Sequence, residues 1–133
     1  MIDLVFFYGT LMSGFRRAGR ARVEAKLAAQ GRGWIGATLF DLGIYPAAIP
    51  AADSRVWGEI YRMTDADTVL AALDEIEGYR PAQPDRSLYT RVETAVTSEE
   101  GHVANAWVYF YNAPLGRAQR IESGDYLEYL KVK

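Results

Sequence analysis

The chain has 133 residues, half of them hydrophobic, with 15 basic and 17 acidic side chains and a formal charge of −2. That length fits one domain spanning 1–133 with its own core, and a charge so near zero supplies no global field toward nucleic acid. The absence of cysteine excludes disulfides, thiol nucleophiles and Cys-ligated metal centres. No run approaches the ~20 apolar residues of a helical membrane span. The apolar start, Leu4-Val5-Phe6-Phe7, is too short for a signal-peptide core. A cytoplasmic protein with neither membrane nor nucleic-acid partner is expected.

Residues 2–8 form an apolar run ending in Tyr8-Gly9, which reads as a buried strand entering a tight turn. Residues 17–30, rich in Ala, Arg, Glu, Lys and Leu and free of proline, predict a helix ended by Gly31 and Gly33. Strands are expected over 34–42 and 54–63, the first punctuated by Gly43-Ile44-Tyr45-Pro46. Thr64, with Asp67 three residues on, reads as the cap of a helix over 65–77, and Gly78 as the residue that closes it. The two prolines of 79–87 predict a loop. Residues 88–97 and 103–111 read as a hairpin turning through Ser98-Glu99-Glu100-Gly101-His102, and 120–130 as a short helix or irregular segment. The order lacks the regular alternation of a doubly wound sheet, so an α+β fold is expected, a curved mixed sheet or small barrel with helices outside.

The 65–77 segment carries an unusual carboxylate. At helical pitch Val69, Leu73 and Ile76 cluster on one arc, with Leu70 beside them. Glu77 falls between Leu73 and Leu70, while Asp74 and Glu75 point toward solvent. Desolvation and the partial negative charge of a helix C-terminus both disfavour ionised Glu77, and a carboxyl raised in this way exchanges a proton near neutral pH. The alternative is a glutamate reaching past the core edge into water.

Tyr8-Gly9-Thr10-Leu11 is either a structural turn or a concave nest of backbone N–H groups suited to an anion. The single histidine, His102, lies in the charged hairpin turn, so nothing supports Ser-His-Asp chemistry. No metal-ligand spacing and no phosphate-binding glycine pattern is present. Trp107, Tyr109 and Tyr111 share one strand face, as core or as pocket wall. The basic residues Arg16, Arg17, Arg20, Arg22, Lys26 and Arg32 read as a solvated helix face, with a nucleic-acid patch as the rival.

Seven segments in order resemble one family. Val5-Phe6-Phe7-Tyr8-Gly9-Thr10-Leu11 resembles the N-terminal strand and signature turn of gamma-glutamylcyclotransferase-like proteins. Leu39 to Ala47 and Val56-Trp57-Gly58-Glu59-Ile60-Tyr61 are similar to their second and third segments. Leu73-Asp74-Glu75-Ile76-Glu77-Gly78-Tyr79 is similar to their helix end, followed by Leu88-Tyr89-Thr90-Arg91, Ala106-Trp107-Val108-Tyr109 and Ser123-Gly124-Asp125-Tyr126. The fit is best to the small bacterial branch near the AIG2-like proteins and gamma-glutamylamine cyclotransferases. Ile44 and Tyr126 depart from its frequent Gly and Trp, and the 16–30 segment is the least family-like.

The resemblance implies a mixed barrel of six to seven strands with flanking helices and a cleft at one end. It implies cyclisation of a gamma-glutamyl group to 5-oxoproline with release of an amine, Glu77 acting as base and then acid, and no metal or cofactor. By the same match Tyr8, Gly9, Thr10 and Leu11 bind the glutamyl part. Tyr89 and Tyr109 bond the substrate or Glu77, the 79–87 loop borders the cleft, and Arg80 and Arg86 are its candidate cations. A biosynthetic cyclotransferase removing a protecting group and a non-catalytic binding module share these features. The leaving amine and the oligomeric state are not written in the sequence.

Overall fold

The computed structural model describes residues 2–15 and 17–132; the expectation for Arg16 lies outside them. Six strands form one mixed sheet: β1 (Leu4–Phe7), β2 (Leu27–Asp41), β3 (Pro46–Met63), β4 (Tyr89–Ser98), β5 (Val103–Tyr111) and β6 (Gln119–Arg120). Their order is β3-β1-β5-β4-β2-β6, and β2 also pairs with β3. Five strands therefore close a barrel and β6 extends it beside β2. Closure leaves few unpaired edges. The β1–β5 pairing is parallel, with Val5 opposite Trp107, and the other pairings are antiparallel. The expected α+β mixed barrel is the observed fold.

β1 is short but central. Val5, Phe6 and Phe7 are all buried, so both faces are covered, as an unbroken apolar run requires. Each contributes roughly 1.5–3 kcal/mol by leaving water. The turn after it therefore starts from a fixed platform.

The expected 17–30 helix is largely absent. α1 spans only Ala18–Ala21, a 3₁₀ turn covers Glu24–Lys26, and β2 begins at Leu27. Leu27, Ala28 and Ala29 pair with Met63, Arg62 and Tyr61 of β3. Fractions of a kcal/mol of helix propensity yield to that pairing. Gly31 and Gly33 lie within β2 rather than ending a helix, with a register shift between Ala29 and Gly31. Further along β2, Gly33, Ile35, Ala37 and Leu39 alternate inward, the period-two signature of a half-buried strand. β3 begins eight residues earlier than expected, at Pro46. Its register jumps from Pro50 opposite Ala37 to Arg55 opposite Gly36, and Ser54 closes the gap by donating to the Ala37 carbonyl at 2.7 Å.

α2 (Ala66–Glu77) buries Val69, Leu70 and Leu73. Its cap is Asp65, which accepts from the Thr68 N–H; Thr64 instead turns its hydroxyl to the Lys26 carbonyl. At the far end Gly78 has φ 69°, and Gly78 N–H and Tyr79 N–H bond back to the Glu75 and Asp74 carbonyls. This left-handed closure is the one expected of Gly78. The β4–β5 hairpin turns through Ser98–His102, and His102 is exposed. Within 120–130, β6 ends at Arg120 and a third helix, α3 (Tyr126–Val132), begins at Tyr126. Among the described residues no helix is long and apolar enough to cross a membrane.

Candidate active site

A narrow cleft opens where the 8–11 turn, the end of α2 and strands β4 and β5 converge. Tyr8, Gly9, Thr10, Leu11, Glu77, Tyr89 and Tyr109, remote from one another in sequence, all line it. Five further residues line it, Phe6, Phe7, Arg17, Tyr45 and Pro46, none of them expected from the sequence as a site residue.

The turn is built by close approach. Met12 N–H donates to the Gly9 carbonyl at 3.0 Å, leaving the central N–H groups of Thr10 and Leu11 outside the turn's own bond. A Cβ on Gly9 would stand 2.7 Å from Pro46 Cγ, so glycine is needed there for space. The outer side is braced by Arg20, whose buried guanidinium donates to the Leu11 carbonyl, and by Glu59, which accepts from Ser13 N–H at 2.7 Å and Ser13 Oγ at 2.9 Å. The Tyr8 hydroxyl is engaged within the fold, donating to the Tyr109 carbonyl at 2.6 Å.

Glu77 faces the turn from the last residue of α2. Its side chain is 11% exposed. Burial pushes its carboxyl up to about 7, against the pull of the Arg17 guanidinium in the other direction. Arg17 Nη1 lies 3.5 Å from Glu77 Oε1. The result is a carboxyl poised to gain or lose a proton near neutrality.

Tyr89 and Tyr109, two of the four tyrosines lining the cleft, do not bond Glu77. Tyr89 donates to the Pro46 carbonyl at 3.0 Å and Tyr109 to Asp74 Oδ1 at 2.6 Å. Burial pushes both phenols well above their ordinary value, so both stay protonated donors. Asp74 does not point into solvent as expected. It is buried and accepts from Arg91 Nε at 2.9 Å and Arg91 Nη2 at 3.3 Å. Helical pitch placed Asp74 off the apolar stripe, but the β4–β5 hairpin covers that side too. Tyr109 faces this pair, while Trp107 packs beneath Arg91.

Among the described residues none of 79–87 lines the cleft. Arg80 and Arg86 are exposed. Among the described residues the cation lining the cleft is Arg17, from the segment expected to be a solvated helix face, and Arg20 of the same segment is buried as well. No periodicity distinguishes Arg17 from its basic neighbours, so only its nearness to the Gly9 turn hinted at this role.

The architecture is shared with solved structures. YtfP of Escherichia coli superposes with a TM-score of 0.65 at 29% identity, over 95% of this chain and 97% of that one. The AIG2-like protein of Mus musculus gives 0.65 at 25% identity, over 85% and 80%. In sequence, the gamma-glutamylcyclotransferase family protein YtfP of E. coli K12 is 37% identical over 90 residues, 68% of this chain and 67% of that protein. Residues 5–128 match the family model described as gamma-glutamyl cyclotransferase, AIG2-like. The chain belongs to this family.

Proposed function

We propose that the protein cyclises a gamma-glutamyl group to 5-oxoproline and releases the amine or amino acid bound to it. The observation that carries this reading is Glu77, a buried carboxyl pushed to about 7, lying across a narrow cleft from the Gly9–Met12 turn.

Glu77 takes a proton from the substrate's α-ammonium. The freed amine attacks the γ-carbonyl carbon, forming the ring N–C bond, and the carbonyl electrons move onto oxygen. Backbone N–H groups of the 8–11 turn receive that charge. The ring nitrogen passes its second hydrogen to the departing nitrogen, and Glu77 returns the proton it took to the same nitrogen. The bond from carbon to that nitrogen breaks as the carbonyl re-forms, and the amine leaves as its ammonium. Atoms and charge balance without water. The nucleophile is tethered to its target, so a cleft that enforces the folded geometry supplies much of the rate.

A panel of gamma-glutamyl amines and gamma-glutamyl dipeptides, with 5-oxoproline release as the readout, tests the reading. Release from at least one member supports it; a panel inert at substrate levels well above the usual KM range refutes it.

A further inference from the structure

We propose that Arg17 is a substrate-binding residue that recognises the α-carboxylate of the gamma-glutamyl group, an inference that rests on the cyclotransferase reading above. The guanidinium lies in the cleft wall with its side chain 20% exposed. It is held from three sides: Nη1 donates to Thr10 Oγ1 at 3.0 Å, Nη2 donates to the Ile76 carbonyl at 3.4 Å, and the group stacks over the Tyr45 ring at 4.7 Å.

Toward Glu77 the contact is loose, a single 3.5 Å approach, longer than the ~2.7–2.9 Å of a charge-assisted bond. The same protein shows what a committed pair looks like: Arg91 grips both oxygens of Asp74. Arg17 is thus anchored by neutral groups and only partly engaged by the nearby carboxylate, an arrangement suited to a second anion.

The chemistry supplies that anion. The α-carbon of a gamma-glutamyl group carries an ammonium and a carboxylate together. An ammonium delivered to Glu77 brings its carboxylate to the neighbourhood of the guanidinium 3.5 Å away. Site and ligand then match as cation to anion and anion to cation. The match also holds through the reaction: when Glu77 takes the proton its charge disappears, and a half-buried arginine left without a counter-charge is costly. The substrate carboxylate keeps it paired. The shortest hydrogen bond of Arg17 is to Thr10, in the turn proposed to hold the glutamyl end, which favours the α-carboxylate over a carboxylate on the departing group.

The test compares wild type, Arg17→Ala and Arg17→Lys on three probes: γ-glutamylpropylamide, its decarboxylated counterpart 4-aminobutanoylpropylamide (product 2-pyrrolidinone) and γ-glutamylalanine. The wild-type preference for the first probe over the second should fall by about 10–100-fold in Arg17→Ala, chiefly through KM, whatever factor both probes lose in common. Arg17→Lys should recover part of it. Equal losses on the first two probes overturn the proposal, and so does a loss confined to γ-glutamylalanine, which would assign Arg17 to the leaving group. Calorimetric binding of 5-oxoproline and 2-pyrrolidinone separates this inference from the reaction itself. A wild type that turns over no probe yet binds 5-oxoproline more tightly, in an Arg17-dependent way, sinks the reaction and upholds carboxylate recognition. Equal affinity of the wild type for the two lactams, or no binding of either, overturns it.

Discussion

The Tyr109 hydroxyl on β5 donates to the Asp74 carboxylate on α2 at 2.6 Å, and Arg91 on β4 grips the same carboxylate. One buried anion therefore ties the helix that carries Glu77 to the strands that carry Tyr89 and Tyr109. Asp74→Ala strands a part-buried guanidinium and a phenol, and should cost about 3 kcal/mol. Tyr109→Phe leaves the Asp74–Arg91 pair intact and should cost about 1 kcal/mol. Urea unfolding measures both. An Asp74→Ala protein within about 0.5 kcal/mol of wild type would show that this anchor is not structural.

Glu77 makes stability depend on pH in a stated direction. Its folded value is about 7, against an ordinary 4.5. Between those values the folded state holds a proton that the unfolded chain has lost, so stability falls as pH rises through the window. Glu77→Gln cannot titrate and should gain on wild type by up to about 3 kcal/mol between pH 5 and pH 8. The facing phenols Tyr8, Tyr89 and Tyr109 are all pushed upward and stay protonated throughout. Unfolding free energies at the two pH values should diverge; a constant difference would place Glu77 in ordinary solvent.

The same linkage reaches the rate. The acid limb of kcat/KM should report Glu77 near 7, and Arg17→Ala should shift it to higher pH, because Arg17 is the group that lowers Glu77. A pH–rate profile that does not move in the variant would separate Arg17 from the carboxyl it faces.

Gly9→Ala tests the turn by space. The new methyl would meet Pro46 Cγ at 2.7 Å and Cδ at 3.0 Å, so the turn or the Pro46 ring must shift. Misplacing N–H groups by a fraction of an ångström should cost about 100-fold in turnover with a stability loss of about 1–3 kcal/mol. Gly14→Ala is the control, since nothing lies within 4 Å of its Cβ, and it should be near neutral. Equal effects of the two changes would remove the turn from the site.

Much of the site was legible because it sits on elements whose local signals agree with their tertiary role. The apolar run before Gly9 is a buried strand, and the 3.6-residue stripe of α2 turned Glu77 inward, with Gly78 closing the helix as expected. Failure came where long-range pairing decided the outcome. Leu27-Ala28-Ala29 has helical propensity, yet β3 needs a partner there. Asp74 lies off the apolar stripe, but Arg91, 17 residues away, receives it. Arg17 belongs to a basic stretch with no internal pattern, and only the fold brings it within 3.5 Å of Glu77.

The central claim is that the Glu77 carboxylate, and not its bulk, moves the proton. Glu77→Gln keeps the size of the side chain but cannot accept the ammonium proton. With a gamma-glutamyl substrate that the wild type turns over, the rate of 5-oxoproline release should fall by about 10²–10⁴-fold while binding of the substrate is largely retained and the melting curve holds or rises. A variant that keeps most of the wild-type rate would contradict the account and assign the proton transfer to another group.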